Sequence, residues 1–257
     1  MDAHDRKARR ARLRLAAAAV VTLGVLAAGG YVAVNAFSGG ADGPTSAKAS
    51  PKPSAASGSP SASAAADRMT PGKARALPLL APKKSQNGAP LGFPDNGVGA
   101  ISAAVSYWEE YAWLDDSLAR KQLEVLVSPD SPQTIDKQIS EVYRVREGVG
   151  LPPSGPAPAG MTFTTVVKAV RGNSLVKNGR VVQVWLQYDR YATKAEGGGD
   201  DSPLKDETVD VIMKWQNGEW RITQEPQYLK LRTFPVAYDP NSVPARQDGW
   251  WRVDHAN

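Results

Sequence analysis

The stretch "KWQNGEWRI", residues 214–222, sets an Asn-Gly pair between two arms in which apolar residues alternate with polar ones. Asn-Gly between such arms favours a two-residue type I′ turn, because both central residues then need positive φ. With Asn217-Gly218 at the tip, Gln216 is expected opposite Glu219, Trp215 opposite Trp220, Met213 opposite Ile222 and Val211 opposite Gln224. One face of the hairpin then carries Val211, Met213, Trp215, Trp220 and Ile222. Lys214 and Arg221 meet on the other face, with Glu219 placed diagonally to relieve their repulsion. A hairpin with two tryptophans on one face reads as a core element, in preference to an exposed tryptophan platform.

The same period of two extends upstream. "RVVQVWLQYDRY" (180–191) alternates Val182, Val184, Leu186 and Tyr188 against Gln183, Trp185, Gln187 and Asp189, and "MTFTTVVKAV" (161–170) is a further strand. Before the loop "LPPSGPAPAG" the period becomes helical. Asp95 or Asn96 can cap a first helix with Ile101, Val105, Trp108 and Ala112 on one face. Asp115-Asp116-Ser117 can cap a second, and Pro132 opens a third that Gly148 or Gly150 ends. Helices first and strands second, without βαβ alternation, predict an α+β fold: helices on one face of an antiparallel sheet.

All seven tryptophans lie after residue 91, and that shift in composition marks a folded domain at 91–225 with a C-terminal extension at 226–257. Ahead of it, residues 1–14 form a basic stub with six Lys/Arg against two Asp, a charge of +4. Residues 15–37, "LAAAAVVTLGVLAAGGYVAVNAF", are 23 residues without a charge. As a helix they are about 34 Å long, enough for a hydrocarbon core of about 30 Å. Basic residues stay cytoplasmic, so a single-pass anchor is expected with its N-terminus inside and its C-terminal domain outside the cell membrane. A cleaved signal peptide is the alternative, but this apolar run exceeds the about 7–15 residues of a signal core. Residues 38–90, rich in Ala, Ser and Pro, cannot bury enough apolar surface to fold and read as a disordered linker spanning about 40 Å. Segment 91–257 holds 18 basic and 22 acidic residues, a charge of −4, which argues against a nucleic-acid partner. Cysteine is absent, so disulfides and thiolate chemistry are excluded.

Three helices, a long antiparallel sheet and a closing W-x-N-G-x-W hairpin resemble the cone-shaped fold of the nuclear transport factor two-like superfamily. With the stub, span and linker added, the chain is similar to membrane-anchored extracytoplasmic proteins of high-GC Gram-positive bacteria, including secretion and conjugation components of the VirB-eight and TcpC types. "GFPDNGVGAISAA" resembles the lead-in to the first helix of such proteins, through Gly92, Phe93, Pro94, Gly99, Ala100, Ala103 and Ala104. The resemblance implies an interaction or assembly module in a conjugation or secretion apparatus, with protein partners or self-association.

That superfamily also hosts isomerase-like enzymes, whose pockets use an Asp or His base with a Tyr or protonated Asp as oxyanion partner. The only histidines are His4 in the stub and His255 near the C-terminus, so no histidine base is expected inside the cone and no metal site or cofactor is predicted. Tyr188 and Gln224 are the polar residues that the pattern places toward the core, where they would line a pocket if one is open. Trp250 and Trp251 are expected on a partner-contact surface whose removal with residues 240–257 leaves the cone folded. The leading expectation is therefore a non-enzymatic anchored interaction module. A small-molecule-binding or isomerase-like cone with a pocket near Tyr188, and a cell-wall-associated binding protein, are the alternatives.

Overall fold

A computed structural model describes residues 76–193, 200 and 203–255. The basic stub, the expected membrane segment and linker residues 38–75 lie outside the described residues. Among the described residues, no helix is long and apolar enough to cross a membrane.

Three strands of thirteen residues form the centre of the sheet: β4 (Thr162–Ser174), β5 (Val181–Thr193) and β6 (Leu204–Gln216), antiparallel in that order. The Asn-Gly hairpin joins β6 to β7 (Glu219–Ile222) in the expected register, with Trp215 opposite Trp220 and Met213 opposite Ile222. Asn217 and Gly218 both have positive φ, 54° and 80°, as a type I′ turn requires. Trp220 is fully buried, and its ring meets that of Trp215 at 5.4 Å in an edge-on geometry. Glu219 does not relieve Lys214. It bridges to Lys84 and accepts the Gly92 N–H, whereas Lys214 pairs with Asp130 and Glu225.

The sheet is mixed, not wholly antiparallel. Its order is β1-β8-β4-β5-β6-β7, and β1 (Ala76–Pro78) runs parallel to β8 (Trp251–Asp254). Residues 76–90, expected in the linker, therefore belong to the folded domain. A second Asn-Gly turn, Asn87-Gly88 with φ of 53° and 75°, joins β2 (Lys84–Gln86) to β3 (Ala89–Leu91) in a small hairpin. Each of these strands has three residues, too few to display a period.

Three helices cover one face. The first, α1 (Gly97–Glu109), is capped by Asn96, whose side chain accepts the Gly99 N–H at 2.8 Å. Asp115 caps α2 (Asp116–Leu126) through the Leu118 N–H, and α3 (Gln133–Gly148) begins after Pro132. Ala100, Ala103, Ala104 and Val105 pack on Val184, Leu186, Val211 and Met213 in one core cluster. A second, smaller cluster between α2 and α3 contains Leu123, Ile139 and Val142.

The other face of the sheet is covered by residues 226–254, so the expected extension is part of the domain. Two short helices, α4 (Pro226–Leu229) and α5 (Val243–Gln247), punctuate this segment before it ends in β8. Ala169 and Trp185 on the sheet pack against Ala245 and Trp250. Gln183 and Trp185 donate to the Thr233 carbonyl at 3.1 and 2.9 Å, and the Arg232 guanidinium pairs with Asp210, its Nε at 2.7 Å. Removing residues 240–257 would strip Trp250 and β8 from the fold. Alternation along β5 exposes Trp185 and Gln183 on the face away from the helices, and this segment is what buries them.

Candidate functional site

The enclosed guanidinium groups of Arg146, Arg190 and Arg232 have different surroundings. Arg146 on α3 is 2 % exposed and donates to four carbonyls, those of Leu114, Pro152, Ser154 and Pro156, which pins the following loop onto the helix. Arg232 has a carboxylate, Asp210. Arg190 on β5 is 1 % exposed, and its Nε donates to the Thr165 hydroxyl at 3.0 Å, but Nη1 and Nη2 have no partner.

Aromatic rings surround the guanidinium instead. Its central carbon lies 4.3 Å from the ring centre of Trp113, 5.0 Å from Tyr188, 5.2 Å from Phe163 and 5.4 Å from Trp108. Trp108 meets Trp113 and Tyr188 edge-on, at 5.2 and 5.5 Å. A desolvated cation over an aromatic face gains about 2 kcal/mol, which offsets part of the several kcal/mol that burying a charge costs. Burial lowers the Arg190 pKa to about 10, against the opposing pull of Tyr188 and Glu207, so the group remains a cation at neutral pH. Glu207, half-buried opposite Tyr188 on β6, attracts the Arg190 guanidinium electrostatically but makes no hydrogen bond to it. The indole N–H groups of Trp108 and Trp113 are also buried without acceptors. The cage is rich in donors and short of an acceptor.

Bulges shape this end of the sheet. The β4–β5 register shifts between Val167 and Ala169, and the β5–β6 register shifts between Tyr188 and Arg190. Such insertions bend strands and re-aim side chains. On the opposite face Asp189 stitches the bulges together: it accepts the Asp206 N–H at 2.9 Å and pairs with Lys168, which also reaches Asp206. Burial alone would raise the Asp189 carboxyl, but Lys168, the Asp206 N–H and the Tyr191 hydroxyl outweigh it and hold the pKa below the ordinary value.

Tyr188 is buried in the main core, as its strand position implied, and its pKa is pushed up by burial. Gln224 is also buried, but in a different place. It lines a cavity of about 10 Å³ with Asp210, Leu229 and Arg232, and both polar atoms of its amide are unpartnered. The two residues expected to share a pocket do not share one. A cavity of about 30 Å³ lies between α1, α2 and the sheet, lined by Tyr107, Trp108, Tyr111 and Gln138, with room for about one or two waters. Trp250 is buried, its indole donating to the Val236 carbonyl at 2.8 Å, and Trp251 is partly buried against the main core in β8. Neither forms the exposed contact surface expected of it. His255 follows the end of β8, half-exposed, 2.9 Å from the Val167 carbonyl and 3.7 Å from Glu109.

In the sequence Arg190 is inconspicuous, because a charged residue near the end of an otherwise regular strand pattern reads as solvent-facing. The available signal was a charged residue falling in phase with Val184, Leu186 and Tyr188. Among the described residues no cluster of His, Asp and Glu could hold a metal ion. The chain matches no protein-family model, no curated protein and no solved structure.

Proposed function

We propose that this chain is a single-pass, membrane-anchored protein whose α+β domain acts outside the membrane as a protein-interaction or assembly module of the nuclear transport factor two-like type, in an apparatus of the conjugation or secretion kind. The uncharged run behind a basic stub supports the anchor, and the three helices before a long antiparallel β4–β6 sheet support the cone resemblance. The observation that carries the interaction role is a concentration of exposed apolar side chains on the C-terminal segment. Phe234 is 68 % exposed, and Leu231, Val236 and Val243 on the same segment are exposed as well. This segment is hydrogen-bonded to the sheet at Thr233 and Arg232 and packed on it through Trp250, so these side chains sit on a fixed support. Exposed apolar groups on a rigid support mark an interaction surface.

A photo-crosslinking residue at Phe234, in the full chain in its native membrane, tests this reading. A discrete adduct is expected at Phe234 and its loss with Leu231→Glu, whereas a probe at Lys177, on the β4–β5 turn, stays uncoupled. Equal coupling at both positions, or none at Phe234, would remove the support for a contact surface there.

A further inference from the structure

A buried cation whose terminal amino groups point at no acceptor is the least satisfied feature of this interior. We infer that Arg190 and its aromatic walls form a binding site for a carboxylate carried on a small planar molecule. Arg146 is met by carbonyls and Arg232 by Asp210, and Arg171 and Arg221 each leave one guanidinium nitrogen unpartnered while a terminal amino group finds an acceptor, whereas at Arg190 both terminal amino groups lack one.

Several details fix the class of ligand. The Thr165 hydroxyl holds Nε, which sets the plane of the guanidinium and leaves Nη1 and Nη2 for a ligand. A planar carboxylate matches that fork with two parallel hydrogen bonds. The rings of Trp113 and Phe163, 4.3 and 5.2 Å from the guanidinium carbon, favour a flat group next to it once Phe163 moves. The free indole N–H groups of Trp108 and Trp113 supply more donors and no acceptor, which disfavours a cation or a neutral donor. The guanidinium remains charged at neutral pH, so it meets a carboxylate as an ion pair. Phe163 is the half-buried wall, and its side chain is the one that must swing aside for a ligand to reach the fork. None of this depends on the membrane anchor or on the exposed apolar side chains of the C-terminal segment, so either can fail without the other.

Calorimetric titration of the full chain in detergent tests the site with three probes: benzoate, benzamide and inorganic phosphate. Saturable one-to-one binding of benzoate is expected, with benzamide and phosphate at least roughly tenfold weaker. Arg190→Lys, which keeps the charge but loses the fork, should weaken benzoate by a similar factor, and Arg190→Met should abolish its binding. Phe163→Ala should speed benzoate association. Benzamide binding as tightly as benzoate, phosphate binding better than benzoate, or no saturable benzoate heat would each overturn the assignment. Should Arg190→Met fail to fold, the three-probe comparison on the unaltered chain decides alone.

Discussion

Gly99 sits where no side chain fits: a Cβ there would lie 2.0 Å from the Pro94 carbonyl oxygen. That same oxygen accepts the Trp220 indole N–H at 2.8 Å, so the lead-in to α1 is locked to the β6–β7 hairpin and cannot back away. Gly218 is the opposite case, with open space around a Cβ and only its φ of 80° against a side chain. Gly99→Ala should therefore cost about 3 kcal/mol or more, as an overpacked site that cannot relax. Gly218→Ala should cost about 1 kcal/mol, the backbone penalty of a left-handed L-residue. Urea unfolding of the two variants checks the order, and similar losses would mean the Pro94 contact yields. Gly99 was visible in the sequence only as part of a resemblance. The close approach that demands it depends on Trp220, far along the chain, and no local pattern reveals that.

Among the elements, the hairpin at 217–218 was legible because a local turn fixes its register, and so were the three helices, two of them capped by Asn96 and Asp115 and the third opened by Pro132. The matching Asn87-Gly88 hairpin carries the same turn signal, but its flanking Pro, Lys and Ser show no apolar alternation to support it. Strands β1 and β8 were illegible, since their pairing joins the two ends of the described chain. The C-terminal segment shows most clearly how burial can follow from a partner instead of a pattern. Its Arg232 and the Asp210 on β6 are respectively 8 % and 5 % exposed at the side chain, and Gln183 also donates to Asp210 at 2.8 Å. Arg232→Met leaves that carboxylate enclosed without its counter-charge, which costs about 3–5 kcal/mol. Combining it with Asp210→Asn should restore part of the loss, because the isolated charge is then gone. Denaturant midpoints across the four-member cycle measure the coupling. A loss below about 1 kcal/mol for Arg232→Met, the range of surface pairs, would show the segment to be loosely laid on the sheet.

At the scale of the whole molecule, charge is distributed in a way that fits a tethered domain. The stub at 1–14 carries +4, residues 38–90 carry seven Lys/Arg against two Asp, and the segment from 91 carries −4. A positive stub next to an uncharged run sets orientation, because translocating Lys and Arg is what the membrane disfavours. The absence of cysteine turns this into a clean experiment, since any thiol introduced is the only one present. In intact cells a membrane-impermeant maleimide should label Ser57→Cys in the tether and Lys177→Cys on the exposed β4–β5 turn. Ala3→Cys in the stub should react only after the membrane is opened. Labelling of Ala3→Cys in intact cells would reverse the orientation. Recovery of a shortened chain from the medium, still carrying the Lys177→Cys label, would mean that the apolar run is a cleaved signal and that the domain acts free of the membrane.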